Sequence, residues 1–129
     1  MLLLKSKLLF TDNSSAKKGE CIKILGGSKK VARIGDTIVV SLQEVATKVH
    51  AKSQTSKNLP KGSVQRAILL RTRKEMRRKD GTRIRFGQNG ATLLKKDGQP
   101  MSTRIFGPLV EELRLVKEMR LLSLASSII

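Results

Sequence analysis

The sequence predicts a mainly β protein, folded as a small closed barrel of five or six short strands with two projecting hairpins. Three observations carry this expectation. Short runs rich in Leu, Ile and Val recur between clusters of turn residues, the pattern of strands rather than helices. The stretches "RRKDGTR" and "LKKDGQP" each set Asp-Gly between apolar segments, and Asp-Gly suits the positive φ values of a tight hairpin turn. Only the last quarter of the chain shifts to a helical period. Closing the sheet into a barrel also removes its exposed edges.

Taken in order, residues 2–10 form a first strand, followed by the turn-rich "TDNSSAKKG". The start "MLLLKSKLLF" reads as strand rather than signal peptide, because Lys5 and Lys7 interrupt it and no small-residue cleavage site follows. Residues 20–25 ("ECIKIL") form a second strand that ends at Gly26-Gly27. The third, 37–42 ("TIVVSL"), follows the Gly35-Asp36 turn. The fourth, 64–72 ("VQRAILLRT"), is led in by Pro60-Lys61-Gly62. Residues 83–86 and 91–94 are shorter strands. Between Glu44 and Pro60 the polar, basic "VATKVHAKSQTSKNL" is too long for a tight turn and is expected to be a loop ordered by a partner.

The final quarter predicts a short helix over 108–119. Pro108 suits a first helical position, Glu111 and Glu112 complement the positive end of the helix dipole, and Leu109, Leu113 and Val116 share one face. "LLSLA" continues as strand or helix. The whole, 1–129, is expected to be one domain, with a barrel over about 1–106 and the helical part over about 107–129. A chain of 129 residues buries roughly two-thirds of its unfolded surface.

The charge is extreme. Lys and Arg number 27 against 10 Asp and Glu, a formal net charge of +17. Thirteen basic and two acidic residues fall in 48–85 alone, which places the binding surface in the middle third. Such a field repels itself in a compact fold and attracts polyanions, nucleic acid first. A basic membrane-surface or regulatory polyanion-binding module is the alternative. Against it, the one good helix opens on acidic residues, and the apolar runs are too short for membrane insertion.

Catalysis has little to work with. Cys21 and His50 are single and have no local partner, which leaves no Cys-based zinc site and no dyad. "LGGSKK" lacks the P-loop spacing and reads as a turn. Most acidic residues have structural places: Asp36, Asp80 and Asp97 in glycine turns, Glu111 and Glu112 at a helix start. Cys21 alternates within a strand as a small core residue. The chain is therefore read as a non-enzyme without cofactor or metal.

Basic side chains are a different matter. The segment "RTRKEMRRKDGTRIRF" carries eight Arg or Lys, opposed only by Glu75 and Asp80. Like charges crowded on a hairpin repel, and phosphates would turn that repulsion into binding through counterion release. Single-strand binders stack bases on aromatic platforms. Here only Phe10, Phe86 and Phe106 exist, each at a strand position that suits the core. Structured RNA, recognised through backbone shape, fits better. Arg71, Arg73, Arg77, Arg78, Arg83 and Arg85 are the leading contacts, because guanidinium binds phosphate through two donors. Lys17, Lys18, Lys29, Lys30, Arg33, Lys48, Lys52, Lys57, Lys61, Lys74 and Lys79 complete the candidate set.

"DNSSAKKGECIKILGGSKK", "IGDTIVVSLQEV", "LLRTRKEMRRKDGTRIRF" and "TRIFGPLVEELR", in this order and spacing, resemble large-subunit ribosomal protein fourteen, the universal L-fourteen family. The resemblance spans nearly the whole chain. It implies a five-stranded β-barrel with a short helical C-terminal part, a structural constituent of the large subunit that supports translation. It also implies contact with large-subunit ribosomal RNA near the subunit interface, with neighbouring ribosomal proteins, and with small-subunit RNA in an intersubunit bridge. A ribosome-silencing factor docks on the family's C-terminal face, which maps here to Thr103 and Arg104 of "TRIFGP" and to Arg120.

The chain departs from the family pattern in places. Ser15 stands where Gly is usual, Gly87 replaces an acidic residue after "IRF", the 45–62 loop is longer than the bacterial form, and "SLASSII" replaces the usual ending. This drift points to a mitochondrial rather than a bacterial member.

Overall fold

The computed structural model describes residues 1–46, 59–116 and 118–129. The candidates Lys48, Lys52 and Lys57, with His50 and most of the long loop, lie outside the described residues.

Five strands close into a barrel: β1 (Lys7–Phe10), β2 (Ala16–Ile24), β3 (Thr37–Val45), β4 (Val64–Arg71) and β7 (Gly90–Leu94), in the order β1-β2-β3-β4-β7. All neighbours are antiparallel except the closing pair, β1 with β7, which runs parallel with Leu9 opposite Gly90. Alternation explains the interior: Ile38, Val40 and Leu42 of β3 point inward and are fully buried, while their neighbours are only partly covered. In β4 the run from Ala67 to Leu70 is buried throughout, because both of its faces are covered. Ala67 and Leu69 join the barrel core with Leu8, Phe10, Ala91 and Leu93. Ile68 and Leu70 face outward and pack with Leu94 under Ile105, Leu109, Leu113 and Leu121 of the C-terminal segment.

Between β4 and β7 the chain leaves the barrel as a small hairpin, β5 (Met76–Arg77) paired with β6 (Arg83–Ile84). The C-terminal segment forms β8 (Ile105–Leu109), a single 3-10 turn over Glu111–Arg114, α1 (Met119–Leu124) and β9 (Ala125–Ile128), with β8 and β9 in a separate parallel pair.

Four sequence expectations need correction. Residues 2–10 are not one strand: a turn closes with Ser6 N donating to Leu3 O at 3.2 Å, and Lys5 takes a left-handed φ of 62°. Leu2 instead bridges to Ala32 and plugs the core, while Leu3 and Leu4 are exposed. The second strand starts earlier, at Ala16, inside the supposed turn, and irregularities in its pairing with β3 accommodate Lys17 and Lys18. The single helix over 108–119 does not form. Gly107 has a φ of +79°, Pro108 lies in β8, and Val110 is extended. Pairing wins: Ile129 N donates to Leu109 O at 2.8 Å, and Glu111 N donates back to Ile129 O at 2.9 Å. Val116 is consequently exposed, and the α-helix begins only at Met119. Lastly, Phe106 is exposed on β8 rather than part of the core; Phe10 is buried and Phe86 half-buried.

Both Asp-Gly sequences do turn the chain, each through a three-residue loop. Arg78 N donates to Thr82 O at 2.8 Å and Gly81 N to Arg78 O at 3.2 Å. Lys95, Gln99 and Gly98 repeat the arrangement at 2.8 Å and 3.0 Å. Only the glycines, φ 88° and 78°, are left-handed. This is the type I turn closed by a left-handed residue, for which glycine is the strain-free choice.

Candidate nucleic-acid interface

The hairpin is fixed to the barrel at its root before any charge is considered. Thr72, buried, donates its hydroxyl to Lys74 O at 2.9 Å and accepts Phe86 N at its own carbonyl at 3.0 Å. Arg73 N donates to Asn89 Oδ1 at 2.9 Å, while Asn89 Nδ2 reaches Lys7 O at 3.3 Å, stitching the return strand to β1. At the tip, Asp80 Oδ1 accepts Thr82 N at 2.9 Å and Thr82 Oγ1 at 2.6 Å. Those bonds hold its carboxyl below the usual aspartate range, with nearby Arg78 adding to the effect.

Two of the leading arginines are taken up inside the protein. Arg71, partly buried, donates from Nε to Pro108 O at 2.8 Å and from Nη2 to Phe106 O, and its guanidinium lies over the Phe86 ring at 5.9 Å. Desolvation pushes its pKa down. A Cβ at Gly107 would stand 2.7 Å from Arg71 Nη2, so glycine is what lets the guanidinium in. Arg78, also partly buried, sets Nε 2.7 Å from Glu112 Oε1 and donates from Nη2 to Ile129 O at 2.9 Å. Both side chains clasp the C-terminal segment to the hairpin and barrel.

The remaining cations face outward. Arg77 and Arg83 stand directly opposite each other in the β5–β6 register. Like charges so placed destabilise a strand pair. Arg83 is offset by Glu75, 3.2 Å away and largely exposed; Arg77 makes no ion pair with any described residue. Arg33 reaches the same place from the β2–β3 connection. Asp36 Oδ2 accepts Arg33 N at 2.8 Å, and Gly35 N donates to Leu69 O at 2.8 Å, which pins that loop to β4.

Arg33, Lys74, Arg77 and Arg83 thereby line one open groove of about 480 Å³, together with Ile34, Met76 and Met1. Its field is felt by the Met1 ammonium, whose pKa is lowered by partial burial and further by Arg33 and Lys74. A second depression of about 440 Å³ is lined by Arg73, Arg85, Phe86 and Gly87. The structure thus gathers cations distant in sequence onto the flanks of one hairpin.

The other candidates lie elsewhere. Lys79 is exposed at the hairpin tip. Lys17 and Lys18 are exposed on β2, with Lys18 paired to Glu44 at 2.7 Å. Lys29 pairs with Asp36 at 2.9 Å, Lys30 is exposed beside it, and Lys61 is exposed in the turn before β4. Thr103, exposed, accepts Asn13 Nδ2 at its hydroxyl at 2.9 Å and donates its N–H to Asn13 Oδ1 at 3.2 Å. Arg104 and Arg120 are exposed, the first leading into β8 and the second in α1.

Sequence reasoning missed two things here. One is the apolar floor of Ile34 and Met76, for which the only signal was a lone Met inside a basic run. The other is Asp12, a buried carboxylate that accepts Ser14 N at 3.1 Å, Thr92 Oγ1 at 2.6 Å and Leu93 N at 3.1 Å, as well as the Ser14 hydroxyl. Among the described residues no group of three or more His, Cys, Asp or Glu is arranged to hold a metal ion, and no helix is long and apolar enough to cross a membrane. Cys21 is buried in the barrel core, and desolvation raises its thiol pKa.

Compared with known protein families, residues 1–129 match the family model described as Ribosomal protein L14p/L23e.

Proposed function

The chain belongs to the L14p/L23e family of ribosomal proteins, structural components of the large subunit, and on that premise we propose that it binds large-subunit ribosomal RNA through the face built on the β5–β6 hairpin. The observation that carries the reading is Arg77 opposite Arg83, with Arg33 and Lys74 at the same groove and Glu75 the only carboxylate among its described lining residues. Such a face costs stability in isolation, and phosphates offset that cost. Arg73, Arg85 and Lys79 extend it, while Arg71 and Arg78 hold its geometry.

The remainder of the role we infer by analogy with the family. The protein sits near the subunit interface, touches small-subunit RNA in an intersubunit bridge and abuts neighbouring large-subunit proteins. It acts without catalysis. Exposed Thr103, Arg104 and Arg120 are where a ribosome-silencing factor would dock. The sequence drift supports a mitochondrial ribosome as its setting.

The test is binding of the full chain to large-subunit ribosomal RNA across a salt series. With six to ten phosphate contacts, affinity falls by about three to five decades between 50 and 200 mM salt. Replacing Arg77 and Lys74 with Ala reduces the slope by about one per contact, while replacing Lys5 and Lys7 leaves it unchanged. A flat salt response rejects the reading. Anionic vesicles bound as tightly as RNA would favour the membrane-surface alternative.

A further inference from the structure

The groove beside the hairpin has more than charge. Arg33, Lys74, Arg77 and Arg83 stand around it, yet Ile34 and Met76 give it an apolar floor, and Glu75 stands in its wall. An A-form duplex offers a protein phosphates, riboses and 2′-hydroxyls; its base faces are stacked away. Regular helix would therefore satisfy the cations and leave the floor wet. An unpaired nucleotide has both an apolar base face and flanking phosphates. The volume, about 480 Å³, falls in the range of small-molecule sites.

We propose that this groove captures one unpaired nucleotide of RNA, with its base on Ile34 and Met76 and its flanking phosphates on Arg33, Lys74 and Arg77. The inference rests on the RNA-binding reading above and adds which RNA element the site selects. Glu75 contributes specificity. Its carboxylate only accepts hydrogen bonds, so it suits guanine, whose pairing edge offers the N1–H and N2–H donors side by side. Binding releases Glu75 from Arg83, now 3.2 Å away, and Arg83 then turns to a phosphate. The exchange is easy because both side chains are largely exposed, with fractional exposures of 65% and 44%. Aliphatic and thioether contacts replace the aromatic platform of dedicated single-strand binders, so the gain lies at the low end of base stacking, about tenfold.

The experiment measures the full chain by fluorescence anisotropy against two RNA duplexes, one fully paired and one with a single-guanine bulge. Wild type is expected to bind the bulged RNA about tenfold more tightly. Met76→Ser, checked for unchanged thermal unfolding, is expected to bring the two affinities within about twofold of each other, and Met76→Leu to restore the preference. Photocrosslinking of a thio-substituted base at the bulge is expected at Met76 or Ile34. Equal affinity of wild type for both RNAs overturns the proposal and leaves RNA binding itself intact. A preference that survives Met76→Ser also overturns it. Salt-independent binding to both would instead remove the reading on which it rests.

Discussion

Arg71 at the end of β4 donates through Nε to the Pro108 carbonyl of β8 at 2.8 Å, and through the same guanidinium to Phe106 O, so one side chain ties the barrel to the C-terminal segment. The sequence marks Arg71 as one more member of a basic run. Its surroundings make it a clasp. Arg71→Ala leaves two carbonyls without their charged donor and is expected to cost about 2 kcal/mol, read as a lower urea midpoint. The salt slope of RNA binding should stay as in wild type. A slope reduced by about one with the midpoint unchanged would put the guanidinium on phosphate instead.

Asp12 is the opposite case, a buried carboxylate with no ion-pair partner among the described residues. Four donors converge on its carboxylate, from Ser14, Thr92 and Leu93, and it is only 6% exposed. Asp12→Ala strands a buried backbone N–H and a buried hydroxyl, and is expected to destabilise by about 3 kcal/mol. Asp12→Asn fills the space but replaces one acceptor oxygen with a donor, so it should recover only part of the loss. Thermal unfolding of the two variants beside wild type decides the matter; two near-wild-type midpoints would refute it.

Acid should loosen the hairpin tip. The hydrogen bonds from Thr82 depress the Asp80 pKa in the folded state below its unfolded value. The support Asp80 gives is therefore complete above the unfolded pKa and lost as pH falls through the depressed folded one. The Thr82 amide resonance, followed by NMR from neutral to acid pH, should move with that titration and stay still in Asp80→Asn. Movement between neutral and alkaline pH, with none in acid, would contradict the sign.

What could be read in the chain beforehand divides along physical lines. Asp80-Gly81 and Asp97-Gly98 were legible because a turn is decided by its own few residues; the positive φ falls on the glycines alone. The strand over 64–72 was legible from its apolar run, but not that Ile68 and Leu70 face a second core. That second core comes from residues after 104, whose own structure is set by β8–β9 pairing rather than by local period. Pro108 carried a helix signal that β8–β9 pairing overrode, while Glu111 and Glu112 do open a helical turn, but one that ends at Arg114. The same distinction holds for the candidate site. Excess charge on the hairpin is visible in composition, whereas the groove needs Arg33 and Ile34 delivered by another loop, which no local pattern encodes.

The parallel seam between β1 and β7 also sets an order of events. Leu9 cannot meet Gly90 until every strand of the barrel exists, so closure depends on contacts far apart in sequence and is intrinsically slow. The hairpin lies inside the last stretch to be locked, between Arg71 and Gly90, which pair with each other at its root. Its own pairing is local, whereas its root is tied to β1 only once the barrel is closed. On the RNA-binding reading proposed above, a polyanion that relieves the repulsion between Arg77 and Arg83 in the closed barrel is expected to slow its unfolding. On that reading RNA is expected to act as a lock on a finished barrel.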